Sequence, residues 1–253
     1  MILDMDGVLW RDDQPIGDLP AIFQRLSENG IRVLLATNNS TRTVNQYLNK
    51  VSSFGVHLEP WQILTSSQAT AHFLKQRFPQ GGSVYVVGEQ ALVDTLQESG
   101  FFQGDETPLA VVAGMDRQVT YAKLRQATRF ILNGAPFIGT NPDRTFPTPE
   151  GLVPGAGAVL AAIQAATDVS PVIAGKPSPA IYEIALQRIK CSPQETLVVG
   201  DRPETDISGG QQIGCLTALV LSGVVDQVQA QAWRPAPDII AADLESVVAV
   251  ICP

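Results

Sequence analysis

Histidine is scarce in this chain of 253 residues, which has only two. Neither His57 nor His72 stands beside a predicted strand end, so packing or surface roles are expected for both. Cysteine is almost as rare. Cys191, Cys215 and Cys252 are odd in number, lack CxxC spacing and have no neighbouring His, which argues against a disulfide framework or a zinc site. Reduced core thiols in a cytoplasmic protein are the expectation. No apolar run reaches the ~18 residues of a membrane span, and the N-terminus lacks a basic segment followed by an apolar signal core. Positive charge is in deficit: 17 Lys and Arg face 25 Asp and Glu, for a formal net charge of -8. Such a field repels polyanions and disfavours nucleic-acid or anionic-membrane partners. An anionic small substrate would need local positive charge. A complete glycine fingerprint is missing too. Gly155-Ala156-Gly157-Ala158 has no third Gly and no clean preceding strand, and reads as a tight helix entry, so a dinucleotide-binding oxidoreductase is disfavoured.

What is present begins at Asp4-Met5-Asp6-Gly7-Val8-Leu9-Trp10. Two carboxylates one residue apart follow the apolar Met1-Ile2-Leu3, as acids displayed at the carboxyl end of a short buried strand would. Ligands bind at that end in open α/β sheets, and i, i+2 side chains share a face while the strand continues. An unpaired buried carboxylate costs several kcal/mol or takes up a proton, so the pair calls for a cation, donors or a reaction. The bland alternative is an Asx-turn leaving a strand. Residues 11–18 read as a polar loop over the pair, packed down by Trp10.

Leu19 to Asn29 has helical periodicity and ends at Gly30. Residues 31–36 then read as a buried strand, giving a βαβ start and a parallel sheet. This strand runs into Thr37-Asn38-Asn39-Ser40-Thr41 before a helix, with Ser40 or Thr41 expected as its N-cap. Hydroxyl, amide and backbone N–H donors gathered there suit a phosphate or carboxylate. After a helix over 66–78, Pro79-Gln80-Gly81-Gly82 reads as a linker. The pattern then restarts as strand 84–87, helix 89–99, strand 109–113, helix 120–132 and strand 137–140. Residues 80–170 are thus predicted as a separate α/β domain, with 1–79 and 171–253 forming the core. In the insert, 140–147 is a rigid polar loop in which Arg144 and Phe146 are candidate substrate contacts. Strands resume at 172–174, ending in Gly175-Lys176-Pro177, and at 196–199, ending in Gly200-Asp201-Arg202 with Asp206 in the following turn. Strands at 216–221 and 239–240 and a helix over 244–251 close the chain.

A doubly wound parallel sheet brings its strand tips to one edge, so Asp4, Asp6, Thr37, Lys176 and Asp201 can converge. Oxygen ligands and a substrate phosphate are what Mg²⁺ prefers, and such an arrangement stabilises a transferring phosphoryl group. At this point the chain resembles the haloacid dehalogenase superfamily, whose four ordered motifs are matched by Asp4-Met5-Asp6-Gly7-Val8-Leu9-Trp10, Thr37-Asn38-Asn39-Ser40, Gly175-Lys176-Pro177 and Gly200-Asp201-Arg202 with Thr205-Asp206. The wording is similar to the NagD-like branch, which carries a large α/β cap between the second and third motifs. Only three residues precede Asp4, so the first strand is short.

The resemblance implies a Mg²⁺-dependent phosphatase acting on a small phosphorylated metabolite. Asp4 would be the nucleophile, forming an aspartyl-phosphate, and Asp6 the general acid and base. Asp4, Asp201 and the backbone carbonyl of Asp6 would hold the metal, with Asp206 orienting water on it. Thr37, Asn38 and Asn39 would bind phosphoryl oxygens, Lys176 would neutralise charge, and Arg144 would touch the leaving group. It also implies association as a homodimer through the cap. Phosphotransfer to a second alcohol would keep every one of these residues. Carbon–halogen cleavage would use neither Asp6 as acid nor Mg²⁺, and a non-catalytic phosphometabolite-binding protein would normally have lost some of them. The substrate stays open among phosphoglycolate, pyridoxal phosphate, sugar phosphates and nucleotides.

Overall fold

A computed structural model describes residues 1–148 and 150–252. The chain opens with strand β1 (Ile2–Leu3), then a small antiparallel hairpin, β2 (Trp10–Arg11) and β3 (Gln14–Pro15), where the sequence suggested only a loop. Two-residue strands leave no periodicity to read. Helix α1 (Leu19–Glu28) is capped by the Asp18 side chain, which accepts from the Ala21 N–H, and its Leu19, Ile22 and Leu26 are buried. Strand β4 (Leu34–Thr37) is fully buried, α2 spans Val44–Ser53, and β5 spans Ile63–Thr65. Because α2 starts at Val44, neither Ser40 nor Thr41 caps it. Instead the Asn39 side-chain oxygen accepts from the Thr41 N–H and hydroxyl, both at 2.8 Å, an Asx-turn ahead of the helix.

Two compact units follow from the contacts. One comprises 38–43 and Thr65–Lys176. It contains α3 (Ser66–Arg77), β6 (Gly82–Val87), α4 (Gln90–Glu98), β7 (Phe101–Gln103), β8 (Val111–Ala113), α5 (Tyr121–Leu132) and β9 (Phe137–Gly139). A hairpin of β10 (Thr145–Thr148) and β11 (Gly151–Pro154), α6 (Ala156–Thr167) and β12 (Val172–Ile173) complete it. Its five strands pair in the order β12-β9-β8-β6-β7, all parallel. Alternation along β6 shows how both faces are covered: Val84 and Val86 pack with α3 and α4, Tyr85 and Val87 with α5 and α6. The predicted tight entry to α6 is present, since a Cβ on Gly157 would overlap the Pro142 carbonyl.

The other unit comprises Met1–Thr37, Val44–Leu64 and the chain from Pro177 onward. After Lys176 come α7 (Pro179–Ile189), β13 (Leu197–Gly200), a single π-helical turn (Pro203–Ile207), α8 (Ser208–Gln212), β14 (Leu216–Val220), α9 (Gln227–Ala232), β15 (Ile239–Ala241) and α10 (Leu244–Ile251). The six-stranded sheet runs β15-β14-β13-β1-β4-β5. Its core gathers Leu3, Met5, Leu9, Trp10, Leu35, Val199 and Val247. From β1 the chain winds outward through β4 and β5, and later from β13 through β14 and β15 in the opposite direction. The order reverses between β1 and β13, the switch point at which open α/β sheets bind ligands. Among the described residues no helix is long and apolar enough to cross a membrane.

Candidate active site

Register places two acids at this switch point. Ile2 and Leu3 pair with Val198 and Val199, and the Asp4 N–H extends the ladder to the Val199 carbonyl at 2.9 Å. Asp4 therefore leaves the tip of β1 and Asp201 the tip of β13. The π-helical turn after β13 returns a third acid: Asp4, Asp201 and Asp206 each offer a carboxylate oxygen, all within 4.8 Å of one another. Asp201 and Asp206 are each 1% exposed. Three carboxylates that close repel strongly in a poorly solvated site, and a hard divalent cation with oxygen ligands answers that repulsion.

Glycine makes the room. Gly7 has φ +85°, and a Cβ on it would come within 2.5 Å of Asp201 Oδ2; one on Gly223 would overlap the same carboxylate. Asp201 thus lies in a slot between two backbones, where its Oδ2 accepts from the Val224 N–H at 3.0 Å. Asp206 crosses Gly200 closely enough that a side chain there would overlap it. The Arg202 N–H donates to Asp206 Oδ2 at 3.1 Å, and the Asp206 N–H donates to the Arg202 carbonyl at 2.9 Å. From α7, the Tyr182 hydroxyl donates to the carbonyls of Thr205 and Asp206 at 2.8 and 3.3 Å. Tyr182, Gly200 and Gly223 shape the acidic cluster without announcing it, because such residues read as ordinary core and turn positions.

Asp6 is held separately. The Trp10 indole N–H donates to its Oδ1 at 2.8 Å, and the Gly7 N–H donates to the Trp10 carbonyl at 2.7 Å. Trp10 is fully buried against Tyr47 and Phe54, with the Lys50 ammonium 4.7 Å from its ring. The expected packing role is met, and the same ring also orients the second Asp of the motif. Thr37 is buried at the end of β4.

In the other unit Asn38 and Lys176 are both buried, 7% and 3% exposed. The Asn38 amide is engaged within the protein: its Oδ1 accepts from the Lys176 N–H at 2.8 Å, and its Nδ2 donates to the Lys176 carbonyl at 3.0 Å and to Asp143 Oδ2 at 3.2 Å. Asn39 carries the Asx-turn. Arg144 is exposed where the β10–β11 hairpin begins, and Phe146 is partly buried. Sequence reasoning weighed Arg144 and Phe146 in the 140–147 loop but passed over Asn141 and Asp143, which tie that loop to Asn38. His57 and His72 pair locally, with Ser52 and Gln76.

Known proteins resemble the chain over nearly its whole length. Residues 1–102 match the model of the haloacid dehalogenase-like hydrolases, and 173–247 match a second model of HAD-hydrolase-like proteins. A dihydroxyacetone phosphatase of Corynebacterium glutamicum is 38% identical over 236 residues, covering 92% of this chain and 86% of that protein. The structure of NagD from Escherichia coli superposes with a TM-score of 0.88 at 35% identity, covering 96% of this chain and 95% of that one. A glycerol phosphate phosphatase of Mycobacterium tuberculosis, solved in complex with magnesium, superposes with a TM-score of 0.89 at 34% identity, covering 97% and 75%.

Proposed function

We propose, since the chain belongs to the haloacid dehalogenase-like hydrolases and is a NagD-like phosphatase, that it hydrolyses a small phosphomonoester with Mg²⁺ through an aspartyl-phosphate on Asp4. The observation that carries this reading is the cluster of Asp4, Asp201 and Asp206 at the switch point. Its oxygen-only donor set and buried negative charge fit Mg²⁺, which the carboxylates of Asp4 and Asp201 and the backbone carbonyl of Asp6 would hold, with Asp206 orienting water on it. When bound, the ion neutralises charge on the phosphoryl oxygens.

An Asp4 carboxylate oxygen attacks phosphorus in line as the ester oxygen leaves, so that slow hydrolysis becomes two easier displacements. Asp6 donates a proton to the departing alkoxide and later takes one from the water that cleaves the acyl phosphate. The Trp10 indole supports this role, since it fixes the carboxyl by donating to one oxygen and leaves the other for the proton. Thr37, Asn39 and the neighbouring backbone N–H groups bind phosphoryl oxygens, and Lys176 supplies the positive charge that the net-acidic chain otherwise lacks. Arg144 biases the choice of leaving group. Two relatives are named for three-carbon phosphates, a dihydroxyacetone phosphatase and a glycerol phosphate phosphatase, which supports a small hydroxylated leaving group here.

The experiment is phosphate release from p-nitrophenyl phosphate with Mg²⁺, with EDTA, and by Asp4→Asn, followed by a panel of polyol, sugar and nucleoside phosphates with and without Arg144→Ala. Turnover should need Mg²⁺ and vanish in Asp4→Asn, since uncatalysed hydrolysis can be slower by up to ~10²¹-fold. Activity surviving that substitution would refute Asp4 as nucleophile. Equal losses on every ester in Arg144→Ala would remove that residue from specificity.

A further inference from the structure

Asn38 stands in a motif whose polar side chains suit a phosphate, yet its own side-chain amide is directed at two protein residues, Lys176 and Asp143. A side-chain amide has one acceptor oxygen and two N–H donors. The oxygen takes the Lys176 N–H, one donor reaches the Lys176 carbonyl, and the other reaches Asp143 Oδ2. Asn38 therefore pairs with both main-chain groups of Lys176 as an adjacent strand would. The Asn38 backbone is fixed in turn: its carbonyl accepts from Asn141 Nδ2 and Ser66 Oγ, both at 2.6 Å. Asn141 Oδ1 accepts from the Asp143 N–H at 3.1 Å, which ties the carboxylate partner into the same network. The Gly175 N–H donates to the Thr140 carbonyl at 2.9 Å. A Cβ on Gly175 would approach Asn38 Oδ1 at 2.8 Å and overlap the Thr140 carbonyl, so the chain can come this close only with glycine before Lys176.

We infer that Asn38 is a positioning residue for Lys176, held in place by Asn141 and Asp143, rather than a ligand of the phosphoryl group. The inference rests on the reading of Lys176 as the cation of the phosphoryl site. Lys176 has a long, flexible side chain, and a point charge stabilises a transition state only where its stem is anchored. Fixing both main-chain groups of Lys176 sets where that stem starts. The Asn-Pro-Asp segment 141–143 thus acts through Asn38 on the lysine, while its neighbour Arg144 faces solvent.

The test is a double-mutant cycle of Asn38→Ala and Lys176→Met, read by calorimetric binding of orthovanadate with Mg²⁺ and by kcat and KM on p-nitrophenyl phosphate. Asn38→Ala alone should weaken vanadate binding and lower kcat by ~10–100-fold, the cost of a misplaced group. In the Lys176→Met background the same change should cost less than ~2-fold, because residues acting as a unit are not additive. Equal losses in both backgrounds, or no loss in either, would overturn the inference. A second pair covers a folding defect. Asp143→Asn keeps an acceptor oxygen for the Asn38 N–H and should leave kcat nearly unchanged, whereas Asp143→Leu removes it and should lower kcat only while Lys176 is present; equal losses in the wild-type and Lys176→Met backgrounds, in proteins that melt like their parents, would also overturn it. Failure of the wild-type chain itself to bind vanadate or turn over ester would instead refute the phosphatase mechanism.

Discussion

Asp206 and Gly200 are a single fitted unit, although only the acid carries chemistry. The carboxylate crosses the glycine backbone with no room for a methyl group, so Gly200→Ala must push Asp206 away from Asp4 and Asp201. Displacing a partner of a metal site typically costs ~10–100-fold in affinity, and that loss is expected in a calorimetric Mg²⁺ titration, with the far-ultraviolet circular dichroism unchanged. Unaltered Mg²⁺ affinity would show that Asp206 takes no part. The acids of this cluster were legible in the sequence because Asp4 and Asp201 follow strand ends and Asp206 lies in the turn after one; Gly223 was not, since nothing local distinguishes a glycine that faces a carboxylate from one that merely turns. Titration behaviour was equally hidden. Burial pushes the Cys215 thiol up to about 11, above its ordinary value near 8.5. At neutral pH both folded and unfolded chains hold the proton; as pH rises, the unfolded thiol ionises first, so the unfolded state binds fewer protons and stability falls. Urea midpoints should therefore drop more steeply between about pH 8 and pH 10.5 for wild type than for Cys215→Ala. Parallel slopes would place the ionisation elsewhere.

The π-helical turn at Pro203–Ile207 is the element that brings Asp206 back to the strand tips. Such turns are rare and frequent at functional sites; here α7 braces it through the Tyr182 hydroxyl, and Gly209 leaves space for the ring. Tyr182→Phe keeps the ring and removes the donor. Two effects are expected: a loss of ~1 kcal/mol in urea unfolding, the ordinary worth of a buried hydrogen bond, and a several-fold higher Mg²⁺ requirement as the turn relaxes. Lost stability with unchanged Mg²⁺ dependence would make Tyr182 a packing residue alone. No sequence rule separates this turn from an α-helical start. The longer elements were readable because their periodicity is: helix 120–132 differs from α5 by one residue at an end. Short buried strands were readable from their apolar runs, as 137–140 was for β9, whereas β2, β3, β7 and the β10–β11 hairpin were not, for these are short and carry exposed positions. The Asn39 turn misled because Asn, Ser and Thr are all favoured both at helix caps and in side-chain turns, and here Asn39 makes the turn.

At the scale of the molecule, metal binding should report on one unit and not the other. The three clustered carboxylates all belong to the unit built on the six-stranded sheet, and their mutual repulsion is a standing cost to that unit's native state. A cation that binds only the folded site stabilises it by ~2.7 kcal/mol at a free concentration one hundred times its dissociation constant. Amide hydrogen exchange resolves where this appears. Peptides spanning β1, β13 and the π-helical turn should exchange more slowly with Mg²⁺ than with EDTA, whereas β6, β8 and β9, whose core is closed by their own helices on both faces, should not change. Uniform slowing across both sheets would mean that the units unfold as one cooperative body; slowing confined to the five-stranded sheet would place the cation away from the acids. Net charge sharpens the expectation. With a formal excess of eight negative charges, monovalent salt also relieves general repulsion, but it does so by screening over ~10 Å at 0.1 M, without preference for the strand tips. Matching the ionic strength of the EDTA and Mg²⁺ samples with NaCl therefore separates a specific ion at Asp4, Asp201 and Asp206 from a diffuse atmosphere around an acidic chain.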